Sequence, residues 1–154
     1  MDQLLVISSY PSKGSIHDKK TVGIASYAKN TLLGMKASNP NLKIEVLAEK
    51  LEGEEISYEE DEMIVRRIWK RGSILSFFSL FNHARKSKAK HIMIEFEVSM
   101  FGNPVQTSPL PILIAFLRLF RKNVTVVLHQ AITDLGAFEG HTNISSKSIK
   151  SKIP

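Results

Sequence analysis

Leu4-Leu5-Val6-Ile7-Ser8-Ser9 is an unbroken apolar run that ends in small polar residues, just before Pro11. A run of that length and composition reads as a strand buried on both faces, as in parallel sheets. A loop with Gly14 and three lysines follows it. From Thr21 the period changes to that of a helix: Val22, Ala25, Ala28, Leu32 and Met35 recur three or four apart, with Ile24 beside them. Thr21 is the expected N-cap, and Asn39-Pro40 the stop. Ile44 to Ala48 then reads as a second strand, completing a βαβ unit.

The same alternation continues. Met63 to Trp69 is a third strand, with Arg66 and Arg67 in its middle; no crossover helix precedes it, so its direction stays open and an edge position is expected. Residues 49–61 are acidic and poor in apolar anchors, and they read as a loop with at most one helical turn. Ile74, Phe77, Phe81 and Ala84 mark a helix that closes in Arg85, Lys86 and Lys88, the favourable sign for a C-terminus. His91 to Glu95 is a fourth strand. After a long loop, Ser108-Pro109-Leu110-Pro111 opens a helix that runs to Arg121, and Asn123 to Leu128 is a fifth strand. Strands alternating with helices predict an α/β domain: a mostly parallel sheet with helices on both faces and strand order 3-2-1-4-5 in chain numbering. Ligands of such sheets sit beyond the carboxyl ends of the strands. Here those ends are Ser8–Pro11, Ala48–Lys50, Trp69–Gly72, Glu95–Phe101 and His129–Ile132.

The chain has 154 residues, 43% of them hydrophobic and 23% charged. That is enough apolar material for one domain with a true core, and it excludes a disordered or fibrous protein. Residues 1–135 are expected to form the domain, and 136–154 a polar, Ser- and Lys-rich tail leading into a missing continuation. No apolar run is long enough to span a bilayer, and Met1-Asp2-Gln3 lacks the basic start of a secretory signal. There are no cysteines, which rules out disulfides, thiolate metal sites and a Cys nucleophile and fits a reducing cytoplasm.

Charge is unevenly spread. Lys and Arg number 21 against 15 Asp and Glu. Eight of the acids lie between Glu49 and Glu62, where only Lys50 is basic, so the remaining 140 residues hold 20 basic and 7 acidic side chains. Such a surface favours anionic partners: phosphorylated metabolites, nucleic acid or acidic lipid headgroups. The competing reading is a merely solvated lysine-rich surface.

Three segments speak together: Ile7-Ser8-Ser9-Tyr10-Pro11, followed by a basic loop and Val22-Gly23-Ile24-Ala25-Ser26-Tyr27; Ile92 to Gly102; and Val124-Thr125-Val126-Val127-Leu128-His129. Their succession resembles the N-terminal, acceptor-side half of a GT-B glycosyltransferase of the group 1 (GT4-like) family, over Leu4 to about Leu135. The resemblance implies a Rossmann-like domain that helps transfer a hexose from a nucleotide-sugar to a hydroxyl acceptor, either a sugar or a lipid-linked molecule. The sequence departs from the family pattern at Val22, where a glycine is usual, and at Phe96, where a histidine is frequent. It also lacks the second, donor-binding domain. The resemblance therefore implies inactivity for this chain alone, a donor domain supplied in cis or in trans, and the nucleotide-sugar as co-substrate, with no cofactor held by this chain. The alternative is a non-catalytic basic α/β module or the subunit of a split enzyme, resting on a membrane surface.

The candidate residues follow. Gly23 and Ile24 open the first helix, where backbone N–H groups and the helix dipole attract anions; a glycine packed tightly on the sheet is the competing reading. Lys13 could draw a phosphate into the first loop, or could simply be solvated. Glu95 and Glu97 fall on one face of the fourth strand by alternation, with Phe96 on the other. They could form an acid/base pair, while the resemblance places Glu97, Phe101 and Gly102 in a substrate-lining loop. Against this, Glu97 could be a local cap. His129 follows a buried strand, where an imidazole can hold a hydroxyl or a phosphate. His129 and Glu97 are the expected catalytic residues. No three histidines have metal-ligand spacing, so no metal is expected. The apolar helix 109–121 with its basic end reads either as buried or as a face for an acidic membrane. Arg66, Arg67, Trp69, Lys70 and Arg71 form a basic cluster, but no nucleic-acid motif accompanies it. The expected location is the cytoplasm, at or near the inner face of the membrane.

Overall fold

The computed structural model describes residues 2–16, 21, 23–97 and 99–129. The tail 136–154 therefore lies outside the described residues, as do His17, Lys19, Lys20 and Val22. The elements, in chain order, are β1 (Gln3–Ile7), α1 (Ile24–Ser38), β2 (Lys43–Glu49), β3 (Ser57–Glu60), β4 (Met63–Trp69), α2 (Ser76–Lys86), β5 (His91–Phe96), α3 (Pro104–Thr107), α4 (Leu110–Leu119) and β6 (Asn123–Leu128).

The strands form one sheet in the order β3-β4-β2-β1-β5-β6. The five expected strands (β1, β2, β4, β5 and β6) are all present, in the expected order, and pair in parallel. The direction left open for Met63–Trp69 is parallel to β2, in register from Ile44–Met63 to Ala48–Arg67. The winding reverses between β1 and β5, where Leu4 stands beside His91 and Ile7 beside Ile94.

Side-chain alternation sorts the core into two layers. Leu5, Ile7, Leu47, Ile92 and Ile94 face Phe77, Leu80 and Ala84 of α2 and Leu110, Leu113 and Leu117 of α4. Val6, Val46, Val65 and Met93 face the other way, with Leu32 of α1. A shift of register between Ala48 and Glu49, where Arg67 and then Trp69 become the partners, lets Trp69 pack on the α2 side against Phe101.

Two expectations are corrected, and the first is that Met63–Trp69 is not an edge strand, because β3 lies outside it. Second, part of the acidic stretch is a strand: β3 pairs antiparallel with β4, from Ser57–Arg66 to Glu60–Met63. It could form because an edge strand needs only one buried anchor, supplied by Tyr58. The hairpin turns on Asp61 and Glu62, both at positive φ (51° and 58°), the geometry a two-residue mirror-image turn demands. Neither residue is the glycine or asparagine that usually advertises such a turn, so no local signal marked it.

Glu62 is also exposed, and among the described residues its ion pair is with Lys36, a contact that its own exposure to water keeps weak. Glu62→Gly should therefore remove left-handed strain and raise the unfolding free energy by up to about 1 kcal/mol, read as a higher urea midpoint with an unchanged slope.

Candidate functional site

The crevice where the winding reverses is built from the ends of β1, β5 and β6 and the start of α1. Helix α1 opens at Gly23, which is exposed and caps with no side-chain hydrogen bond. A Cβ added there would meet nothing within 4 Å, and its φ is an ordinary −55°. Tight packing against the sheet thus does not explain this glycine. The next residue, Ile24, is buried and belongs to the core, so of the expected pair only Gly23 faces solvent.

Tyr27 stands one turn further along α1. Its ring meets that of His129 edge-on, with centroids 4.4 Å apart. The His129 backbone N–H donates to Phe96 O at 3.0 Å, extending the β5–β6 ladder one step. The imidazole leans back along the strand, and its Nε2 is hydrogen-bonded to a carboxylate oxygen of Glu95. Glu95 is 1% exposed and faces the α1 layer with Met93. Beside it, one place past the Ile7–Ile94 pair, the Ser8 hydroxyl is buried with no hydrogen-bond partner. A buried carboxylate, an imidazole it orients, an orphan hydroxyl and an uncapped helix start thus share one end of the sheet.

Glu97 is placed differently from Glu95. Strand β5 ends at Phe96, and Glu97 already belongs to the turn closed by Met100 N–H to Glu97 O at 3.0 Å. Its carboxylate accepts from Ser99 Oγ at 2.9 Å, the local cap named as the competing reading. Glu95, ranked below it on sequence grounds, is the carboxylate that holds His129. Phe96 lies on the opposite face, against the α2–α4 core.

The other candidates have structural partners. Phe101 is buried against Trp69 and Phe77. Gly102 has φ +118°, and a Cβ there would lie 2.1 Å from Gln106 Oε1. It is needed because Gln106 folds back to close a reciprocal cap with Asn103 at the start of α3. Lys13 pairs with Glu55 at 2.9 Å and lies over the Tyr58 ring, near β3 rather than near His129.

Sequence reasoning missed a second polar cluster, at the ends of β1, β2 and β4. Arg67, 1% exposed, donates to three carbonyl oxygens, those of Tyr10 (3.3 Å), Glu49 (3.0 Å) and Pro11 (2.5 Å), and to Tyr58 Oη (2.8 Å). The buried Glu49 carboxylate accepts from Ser9 Oγ, and its two oxygens accept from Arg71 Nη2 at 3.0 and 2.8 Å. Lys29 joins Glu60 at 3.0 Å and Ser15 O at 3.0 Å. Glu54 accepts from Lys13 N–H and Glu60 from Gly14 N–H. Three acids of the stretch, Glu54, Glu55 and Glu60, therefore strap the 11–16 loop to the sheet edge. The available signal was two arginines inside an otherwise apolar strand, one of which had to be buried.

Burial, with help from the nearby Glu60 and Asp61 charges, pushes the Tyr10 phenol well above its ordinary range, and burial does the same to Tyr58. The Tyr10 hydroxyl is buried without a partner. In the unfolded chain it ionises near 10.0, whereas in the fold it stays protonated. Stability from this source is full below pH 10 and is lost above it, as the unfolded state alone gains from ionisation.

Tyr10→Phe should keep or raise stability at pH 7, by up to about 1 kcal/mol, and should flatten the alkaline decline in urea midpoints measured from pH 8 to 11. Arg67→Met should cost about 3–5 kcal/mol, because it leaves three buried carbonyls and a phenol unpaired. Arg67→Lys should recover little of this, since an ammonium lacks the planar fork. Among the described residues no group of three or more His, Asp or Glu could hold a metal ion, and no helix is long and apolar enough to cross a membrane. No protein-family model, no curated protein and no solved structure matches this chain.

Proposed function

We propose that this chain is the acceptor-binding half of a nucleotide-sugar-dependent glycosyltransferase, active only with a donor domain joined to it or associated with it. The observation that carries this reading is the Glu95–His129 pair, wedged against the first turn of α1 at the point where the winding reverses. Crevices at such points are where α/β sheets take ligands. The order of the motif segments along the chain, which resembles GT-B enzymes, adds the reaction class.

In this reading the acceptor enters at the carboxyl edge of the sheet. With Glu95 ionised, His129 Nε2 carries the proton and donates to the carboxylate. Nδ1 is then the ring's acceptor, suited to the hydrogen of an incoming hydroxyl. The hydroxyl oxygen forms the new bond to the sugar's anomeric carbon as the bond from that carbon to the diphosphate breaks. The hydroxyl proton passes to His129 Nδ1, from which it is returned to water, and the nucleoside diphosphate leaves. First-turn N–H groups of α1, open at Gly23, suit the negative charge of the diphosphate. Most of the rate comes from holding acceptor and donor in line and from meeting that charge, much of it from the donor domain. Glu97, Phe101, Gly102 and Lys13 have no step of their own in this scheme, because their observed partners are structural.

The test is transfer itself. The chain combined with a donor domain encoded beside it should release nucleoside diphosphate from one of a panel of nucleotide-sugars when hydroxyl acceptors are present; the chain alone should release none. His129→Ala should lower kcat per folded molecule by about 10²-fold, with the far-UV dichroism retained, and Glu95→Gln should follow it more weakly. Turnover by the chain alone, or full activity in His129→Ala, would overturn the reading. A chain that supports no transfer with any donor domain would instead be the non-catalytic basic module.

A further inference from the structure

Helix α4 has two apolar faces where a helix on a sheet needs one. Leu110, Leu113 and Leu117 are buried against the sheet and α2. Ile112, Phe116 and Leu119 recur at i, i+4 and i+7 on the outside, and they are 58%, 48% and 76% exposed. Phe120, half exposed, continues the stripe and meets Phe81 of α2 edge-on. Arg85 lies over that Phe81 ring, and Arg118 and Arg121 are exposed at the end of the helix. Lys122 is not part of this fringe: its amine donates to Ser87 O and Ala89 O, and burial lowers its pKa.

Charge over this side of the molecule has one sign. From Ser76 to His129, the segment that builds α2, β5, α4 and β6, there are seven Lys and Arg residues, and the only acids are Glu95 and Glu97. Glu95 is buried on His129 and Glu97 is bound to Ser99. The acidic stretch sits at the β3–β4 edge of the sheet, whereas α4 packs beside β6 at the opposite edge. The α4 face therefore combines large aliphatic and aromatic side chains with cations whose opposite charges have been moved to the far side.

We infer that the outer face of α4, with Ile112, Phe116, Leu119 and Phe120 at its centre and Arg85, Arg118 and Arg121 at its rim, docks on an anionic lipid bilayer. A membrane surface offers both halves of the complement: acyl chains for the stripe and acidic headgroups for the arginines. A polyanion such as nucleic acid would satisfy the rim and leave the apolar stripe in water. A protein domain closing over the carboxyl edge of the sheet would leave this flank uncovered, because α4 lies in the helix layer. The inference does not depend on the proposed transferase activity.

The experiment is sedimentation of the full 154-residue chain with vesicles, followed by gel quantification. The chain should pellet with phosphatidylcholine vesicles containing phosphatidylglycerol, remain in the supernatant with phosphatidylcholine alone, and release as salt is raised. The double variant Ile112→Ser/Leu119→Ser should bind at least about tenfold more weakly, and so should Arg118→Gln/Arg121→Asn, where Asn suits the positive φ of Arg121. All four positions are exposed, and far-UV dichroism checks that the fold is kept. Failure to pellet with the mixed vesicles overturns the inference. So does binding that the apolar double variant leaves unchanged, which would mean a charge-only attraction. A concentration-dependent dimer that the same variant abolishes, without vesicle binding, would assign the face to a second copy of the chain.

Discussion

Taking a guanidinium out of water is costly unless most of its donors are satisfied, and Arg67 is almost wholly out of water, with both terminal nitrogens bonded and its Nε left without a hydrogen-bond partner. Its partners come from the loop after β1, from the end of β2 and from β3. Burying this one group therefore ties together three segments whose side chains Tyr10, Ala48 and Tyr58 also belong to one hydrophobic cluster. Tyr58, the single anchor of β3, is held partly because Arg67 needs its oxygen. The surrounding acids then find cations or amides on the 11–16 loop and on α1. One half of the carboxyl edge, over β4, β2 and β1, is closed in this way. The other half, over β1, β5 and β6, keeps an orphan hydroxyl, an uncapped helix start and a carboxylate–imidazole pair. The constraint that rigidifies one side does not reach the other.

The expected architecture follows from backbone periodicity, which is local and therefore readable. β1, β2, β4, β5 and β6 are each short β-branched or aliphatic runs, and right-handed crossovers leave few orders for them. β3 was unreadable because its stability comes from elsewhere: Ser57-Tyr58-Glu59-Glu60 has one apolar residue, and its turn uses Asp61-Glu62 against local preference. The site was legible in the same measure. Strand ends gave its location, and alternation put Glu95 and Glu97 on one side. Alternation could not say which of them still belonged to the strand. The chain leaves the ladder after Phe96, so the face of Glu97 is set by its turn, and the imidazole turns back to Glu95. Phe101 and Lys13 have partners, Trp69 and Glu55, that are remote in sequence, and Gly102 meets Gln106 four residues on; no spacing announces these contacts.

Sheet geometry connects the crevice to the basic flank. All the parallel strands end at one edge, so a ligand on Ser8, Glu95 or His129 must approach from that edge. Helix α4 runs back from it, opening at Pro109–Leu110 on the crevice side and closing at Arg118 and Arg121 on the other. A planar surface lying along α4 would thus stand beside the mouth of the crevice without blocking it. An acceptor whose hydroxyl group protrudes from such a surface would need to bend only over the end of β6 to reach His129. The segregation of acids to the β3–β4 edge serves both features: it pins the loop that closes the far half of the opening, and it clears negative charge from the side an anionic surface would meet. The cluster of eight acids is in the fold met by Lys13, Lys29, Lys36 and Arg71 on its own side, while among the described residues Arg85, Arg118 and Arg121 stand exposed beside α4 with no acid of the cluster near them.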